Sequence, residues 1–357
     1  MKHLMVVAAG TGGHVMPGLA VAKALGERGW SISWLGTRAG MERQLVEPSN
    51  IAFDAVDFVG LRGKGVKALV FGGFYLLRAL WQSRAAIRAR KPGVMFATGG
   101  YVAVPAGMAA SSMGVPLVLL NPDAAALMST RMLKSLANAV LCGFNGQAAT
   151  AAGKIGLVTG NPIRAEITQI APPEQRFAGR RGPLQLLVIG GSLGAQILNE
   201  TVPQALALIP TDLRPIVVHQ CGAQHVDSVR ARYQALGVKA DVIPFIGDMP
   251  NRYAAADVVV CRAGAITVSE LAAAGVPSVL VPFVVSTTAH QRDNAEFMAR
   301  HGAAVHLPQS DLSAEKLAEL LRALTRDRLL TMAQAARSLG KPNATEMVAA
   351  VIERVAA

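Results

Sequence analysis

A chain of 357 residues is long enough for about two domains at roughly 150 residues each. It is 52% hydrophobic and 16% charged, which excludes a disordered chain and supplies ample material for a large buried core. The 35 Lys and Arg against 23 Asp and Glu leave a net charge of +12, so anionic partners are favoured: nucleic acid, anionic lipid or phosphorylated substrates.

Taken in chain order, Leu4–Ala9 (L M V V A A) predicts a buried strand that runs into a glycine loop, Gly10-Thr11-Gly12-Gly13-His14. Gly18–Leu25 then carries small and apolar residues at helical spacing. The run from Met1 to Ala9 is too brief for a signal peptide. From Phe58 to Pro122 there is no acidic residue, whereas Arg62, Lys64, Lys67, Arg78, Arg84, Arg88, Arg90 and Lys91 fall inside it, around the apolar run Ala68–Leu77. Phe71, Phe74, Tyr75 and Trp81 sit among aliphatics instead of forming a stacking platform for bases. The segment therefore reads as a membrane-surface patch or as an ordinary solvated helix face, and not as a nucleic-acid site. The uncharged stretch Pro92–Pro122 is long enough to span a bilayer, yet Gly99, Gly100, Pro105, Gly107, Gly114 and Pro116 break it. It predicts a strand, a turn, a small-residue helix and another strand, with no transmembrane helix.

Leu184–Ala195 (L Q L L V I G G S L G A) repeats the opening strand and glycine loop, and a helical pattern follows from Ile197 to Ile209. Apolar runs such as P I V V H, D V V V C and P S V L V P continue the alternation, and Asn343–Val355 reads as a last amphipathic helix. Continuous apolar strands separated by helices imply parallel sheets covered on both faces, and two such starts imply two doubly wound α/β domains. The boundary falls near Thr159-Gly160-Asn161-Pro162. Cys142, Cys221 and Cys261 form neither a disulfide framework nor a zinc set, which suits a reducing cytoplasmic compartment.

Four motifs carry candidate chemistry. The Gly10–His14 loop lets backbone amides approach a phosphate, and His14 is a candidate general base; a tight turn and a surface histidine are the plain alternatives. Gly190-Gly191-Ser192-Leu193-Gly194 fits either a phosphate loop with Ser192 as donor or the G-x-S-x-G elbow of a serine hydrolase, since His219, His225 and His290 follow it. Arg262–Glu270 places small residues and hydroxyls at a helix start, with Glu270 able to reach sugar hydroxyls or simply to favour the helix dipole. Gln291 could read a ligand hydroxyl with both its donor and its acceptor, or cap a helix. No D-x-D occurs, so helix starts and Arg164, not a metal, would neutralise a diphosphate.

Together, in this order, these pieces resemble the MurG family of peptidoglycan N-acetylglucosaminyltransferases, of the GT-B class. The likeness spans the whole chain and rests on G T G G H, Gly36–Glu42, Gly60–Gly65, Gly99–Val102, T G N P I R (Thr159–Arg164), G G S L G A, Pro244–Ile246, C R A G A I T V S E and His290-Gln291. The resemblance implies two Rossmann-like domains facing a cleft, 1–163 on the acceptor and membrane side and 164–340 on the UDP-GlcNAc side, with a C-terminal helix, 341–357, returning to the first. It implies inverting transfer of GlcNAc from UDP-GlcNAc to the muramoyl C4 hydroxyl of lipid I, giving lipid II, without cofactor or metal. Another UDP-sugar-dependent lipid glycosyltransferase is the neighbouring alternative.

Carried over, the donor residues are Thr11, Gly12, Gly13, Asp123, Arg164, Ser192, Ile246, Ala265, Ile266, Thr267, Val268, Ser269, Glu270 and Gln291. Ile246 would meet uracil through its backbone, Glu270 the ribose and Gln291 the GlcNAc hydroxyls. Glu270 joins His14 as a catalytic candidate, and His14, Gly99, Gly100 and Tyr101 face the acceptor. The implied location is peripheral, on the cytoplasmic face of the inner membrane, with its anionic surface and the cell-wall and division machinery as partner candidates. Three departures stand out: Ala9 replaces a family glycine, Asn121 and Asp123 replace the family's Glu and Asn, and Val284–Ala289 lacks the acids that usually precede His290-Gln291.

Overall fold

The computed structural model describes residues 2–10, 12–38, 40–58, 65–191, 193–283 and 290–357, with backbone alone over 65–71. The chain divides into two compact units, Met1–Ile163 with Pro342–Ala357, and Arg164–Lys341.

The first unit alternates β1 (His3–Ala8), α1 (Gly12–Glu27), β2 (Ser31–Thr37), α2 (Met41–Val46), β3 (Ala52–Val56), α3 (Gly65–Arg90), β4 (Val94–Gly99), α4 (Ala103–Ser112), β5 (Leu117–Asn121), α5 (Met128–Leu133), β6 (Ala139–Cys142), α6 (Gln147–Ala152) and β7 (Gly156–Val158). Its seven strands lie in the order β3-β2-β1-β4-β5-β6-β7, and every pairing is parallel. The apolar run of β1 resolves into two faces, as the two-residue period of a strand requires. Met5 and Val7 enter one core cluster, and Leu4, Val6 and Ala8 enter the other. The uncharged stretch after Pro92 is a strand, a small-residue helix and a strand, as its glycines and prolines imply.

The second unit contains α7 (Ala165–Thr168), α8 (Pro173–Phe177), β8 (Gln185–Ile189), α9 (Gln196–Ala207), β9 (Ile216–Gln220), α10 (Val226–Ala235), β10 (Asp241–Ile243), α11 (Met249–Ala255), β11 (Val258–Cys261), α12 (Ala265–Ala274), β12 (Ser278–Leu280), α13 (His290–Arg300), β13 (Ala304–His306), α14 (Ala314–Arg322) and α15 (Arg326–Leu339). Its sheet runs β10-β9-β8-β11-β12-β13, also parallel throughout. The doubly wound expectation holds in each unit.

The last helix, α16 (Ala344–Ala356), completes the first unit. Val348 and Ile352 are fully buried in the cluster that holds Leu4, Val6 and Trp34. Arg28, just past the end of α1, bonds Glu353 at 2.9 Å and also pairs with Glu346. One expected boundary moves. The apolar pattern places the first helix at Gly18, but α1 begins at Gly12, with Pro17 inside it. The glycine loop is therefore partly the first turn of a helix, and its amides belong to a helix start.

Candidate active site

In a doubly wound sheet the chain leaves the first strand toward one side and the fourth toward the other, so a crevice opens beyond their carboxyl ends. Those ends are β1 and β4 in the first unit and β8 and β11 in the second. The two glycine loops, Gly99 and the start of α12 occupy these four ends, whereas Arg164, Pro244–Ile246 and Gln291 follow β7, β10 and β12.

In the first unit, the β1–β4 register shifts between Val7 and Ala8, just before the glycine loop. His14 is the third residue of α1, and its Nδ1 lies 3.1 Å from the Thr98 carbonyl at the end of β4. A carbonyl only accepts, so Nδ1 carries a proton in this contact. Thr98 Oγ1 returns a bond to the His14 carbonyl at 2.6 Å. Gly99 follows at φ 119°, and a Cβ there would stand 2.6 Å from His14 Nδ1. Glycine is thus required both by the backbone angle and by the imidazole against it. A Cβ on Gly100 would overlap the Ala9 carbonyl oxygen. Tyr101 is half-buried, with its ring 6.1 Å from Phe58. The four acceptor-side candidates are therefore gathered at one switch point, and Gly12 and Gly13 open α1 beside them. Thr11 lies outside the described residues.

The last residue of the Gly36–Glu42 motif, to which the sequence assigns no role, holds this loop. Glu42, fully buried, accepts from the Thr37 amide at 2.7 Å, the Thr37 hydroxyl at 2.5 Å and the Gly10 amide at 3.2 Å. At the end of β5, Asn121 Nδ2 donates to the Asp123 and Ala125 carbonyls at 2.7 and 3.0 Å, and its Oδ1 accepts from the Leu127 amide at 2.8 Å. Asn121 thus ties down the turn that carries Asp123, which is itself 9% exposed.

In the second unit, the Gly190 amide donates to the Gln220 carbonyl at 3.0 Å and the Gly194 amide to the Gly191 carbonyl at 3.0 Å, which makes a tight turn. Gly194 sits at φ 79°, with the Cys221 carbonyl against it where a side chain would be. Ser192 lies outside the described residues. From β11, Gly264 caps α12 in an extended conformation, so the first amides of that helix point outward as anion donors. Ala265, Ile266 and Thr267 supply them. Val268 is fully buried, and its amide bonds the Gly264 carbonyl at 2.9 Å. Ser269 is half-buried on the same helix.

A cavity of about 720 Å³ opens between these loops, within the size range of small-ligand sites. Its wall includes Gly191, Gly194, Gly264, Thr267 and Gln291, together with Arg262 and Gln309, which were not among the sequence candidates. Arg262 donates to Gln309 Oε1 at 2.7 Å and lies over the Phe283 ring at 5.2 Å. Gln291 Oε1 accepts the Phe283 amide at 2.9 Å, which orients the side chain, and its amide nitrogen supplies two donors. Among the described residues Arg164, Glu270 and Ile246 do not line this cavity; Ile246 is 5% exposed.

The sequence gives Arg164 and Glu270 separate tasks, but the structure joins them. Arg164 Nε and Nη2 each donate to a Glu270 carboxylate oxygen at 2.9 Å. Burial pushes the Glu270 carboxyl above its ordinary range, while the guanidinium pulls it back. The fork-to-fork geometry holds both groups in fixed orientation. The pair is 106 residues apart in the chain, so no local pattern signals it.

Of the histidines that follow the G-x-S-x-G run, His219 is tied into the core of the second unit. His219 is fully buried, with its ring nitrogens 2.9 Å from Tyr233 Oη and 3.1 Å from Asn199 Oδ1. The three cysteines are buried and free, and burial pushes Cys142 up to about 11 and Cys261 up to about 12, far from a reactive thiolate.

The comparisons agree with this fold. Residues 4–142 match the glycosyltransferase family 28 N-terminal domain, and residues 185–351 match the C-terminal domain of that family. Two doubly wound units with these glycine loops define a family 28 glycosyltransferase. The chain is 55% identical to the UDP-N-acetylglucosamine–N-acetylmuramyl-(pentapeptide) pyrophosphoryl-undecaprenol N-acetylglucosamine transferase of Herminiimonas arsenicoxydans, over 99% of each chain. It is 54% identical to the enzyme of the same name from Chromobacterium violaceum, again over 99% of each. The crystal structure of Acinetobacter baumannii MurG superposes with a TM-score of 0.85 at 36% identity, covering 99% of this chain and 100% of that one. The chain belongs to the MurG family of N-acetylglucosamine transferases. That membership does not favour the serine-hydrolase alternative.

Proposed function

We propose that the chain transfers N-acetylglucosamine from UDP-GlcNAc to the muramoyl C4 hydroxyl of lipid I, forming lipid II with inversion. The observation that carries this reading is the full-length identity to relatives of that name, 55% over 99% of each chain. The glycine loops at both switch points support it physically, because each leads from a strand end into a helix start, where anionic ligands bind.

In the first unit, His14 Nε2 takes the acceptor proton, and the Thr98 carbonyl on Nδ1 favours the imidazolium that forms. Gly99, Gly100 and Tyr101 border that step on the acceptor side, and Thr11, Gly12, Gly13 and Asp123 belong to the donor set. In the second unit, Ser192 with the amides of Ala265, Ile266 and Thr267 faces the departing diphosphate. Glu270 meets the ribose and Gln291 the GlcNAc. Arg164 serves by holding Glu270 as much as by its own charge. Preorganised amides and a guanidinium stabilise the leaving group where it develops charge, so a divalent ion is not required.

The acceptor is lipid-linked, and α3 offers a surface for its membrane. Phe74, Tyr75, Leu77 and Trp81 are 63%, 45%, 60% and 74% exposed, beside Arg84 and Arg88. No described helix is long and apolar enough to cross a membrane, so this reading is of a protein lying on the anionic cytoplasmic face. Release of UDP from UDP-GlcNAc, followed in EDTA with and without a lipid I analogue, tests the whole reading. Acceptor-dependent release supports it; release without acceptor, or none in EDTA that magnesium restores, overturns it.

A further inference from the structure

The two segments assigned to the donor nucleotide are the glycine loop after β8 and Pro244–Ile246 after β10. They belong to strands separated by β9, and β9 ends in Gln220 between them. Gln220 is 3% exposed and spends its side chain on both. Its Oε1 accepts the Gly191 amide at 3.1 Å, and its Nε2 donates to the Gly191 carbonyl at 2.9 Å and to the Pro244 carbonyl at 3.0 Å. These partners fix the amide orientation, because a flipped group would set its N–H₂ against an N–H and its oxygen against two carbonyls. Glutamate would fail in the same way at the two carbonyls. The strand-end backbone adds two bonds, Gly190 N–H to the Gln220 carbonyl and Cys221 N–H to the Ile243 carbonyl.

We infer that Gln220 is a positioning residue that couples the base-reading segment to the diphosphate loop, so that a ligand seated on one pre-orders the other. This inference rests on the UDP-sugar donor reading given above. Its physical content is that two loop segments would each lose conformational freedom on binding, and a shared buried clamp makes that loss fall once instead of twice.

The test uses the full chain with uridine, which reaches only the base segment, and UDP, which spans both. Gln220→Met keeps the volume and removes all three side-chain bonds. The dissociation constant for UDP should rise about tenfold, and that for uridine should stay within about twofold. The KM for UDP-GlcNAc should rise in parallel with that for UDP, while the KM for the acceptor stays put. Equal losses for uridine and UDP, or no loss for UDP, would overturn the coupling. Should the variant fail to fold, hydrogen exchange on the wild type decides: saturating uridine should slow exchange at Gly191 and Gly194 as well as at Phe245 and Ile246. Protection confined to Phe245 and Ile246 refutes the inference. If the wild type binds neither UDP nor uridine, the donor reading falls and this one with it; if it binds both without coupling, only this one falls.

Discussion

His14 has its proton placement settled by a neighbour 84 residues away, because the Thr98 carbonyl can only accept from Nδ1. General-base catalysis contributes about 10²–10⁴-fold, so His14→Ala should lower kcat by that order with the circular dichroism spectrum unchanged. Turnover near the wild-type rate would remove His14 from the role. His219 has the opposite character. Burial depresses its pKa to about 4 from an ordinary 6.5, so the folded protein keeps it neutral where the unfolded chain would protonate it. The unfolded state therefore binds more protons between about pH 6.5 and about 4, and stability falls as pH drops through that window. Between pH 7 and pH 5 the wild type should lose about 1–2 kcal/mol more than His219→Gln, read from urea midpoints. Equal losses would show that another group carries the acid sensitivity.

Among elements, α3 combines exposed aromatics with a partly neutralised basic face. Arg78 bonds Asp57 at 2.9 Å and Arg90 bonds Asp54 at 2.8 Å, while the Trp81 ring stays 74% exposed. Trp81→Glu together with Phe74→Glu should abolish flotation with anionic liposomes, since apolar insertion supplies much of such binding. Wild-type flotation should weaken with salt, because the Debye length shortens from ~10 Å at 0.1 M to ~3 Å at 1 M. Flotation that survives both changes would make α3 a solvated helix face. The two glycine loops follow a common plan. Each has its amide held by a buried side chain from the neighbouring strand side, Glu42 on Gly10 in one unit and Gln220 on Gly191 in the other. Such anchors limit how far each loop must reorganise when an anion binds.

At the scale of the molecule, the first unit is discontinuous in sequence, because α16 reaches it after the whole second unit has been traversed. Ile352 is fully buried against the face of the sheet that holds Leu4 and Val6. Ile352→Ala should cost about 2–5 kcal/mol. Hydrogen exchange should show protection lost in β1 and β4 while β8 and β11 keep theirs; uniform loss across both units would contradict this division of stability.

The amino-acid sequence by itself determined the two doubly wound sheets, since runs such as L M V V A and V V V C between glycine loops and helical patterns admit few other burials. It also determined the family, through motifs whose order and spacing are specific, and the positions of His14, Gly99 and the α12 start, which are short-range features of strand ends. Only the tertiary structure decided that Arg164 and Glu270 are one bidentate pair, that Glu42 and Gln220 hold the glycine loops, and that α1 starts at Gly12. A lone Glu or Gln in a sequence has no period and no fixed spacing to its partner. Its role is set by which strand ends the sheet order brings together, and that order comes from burying both faces of each sheet at once.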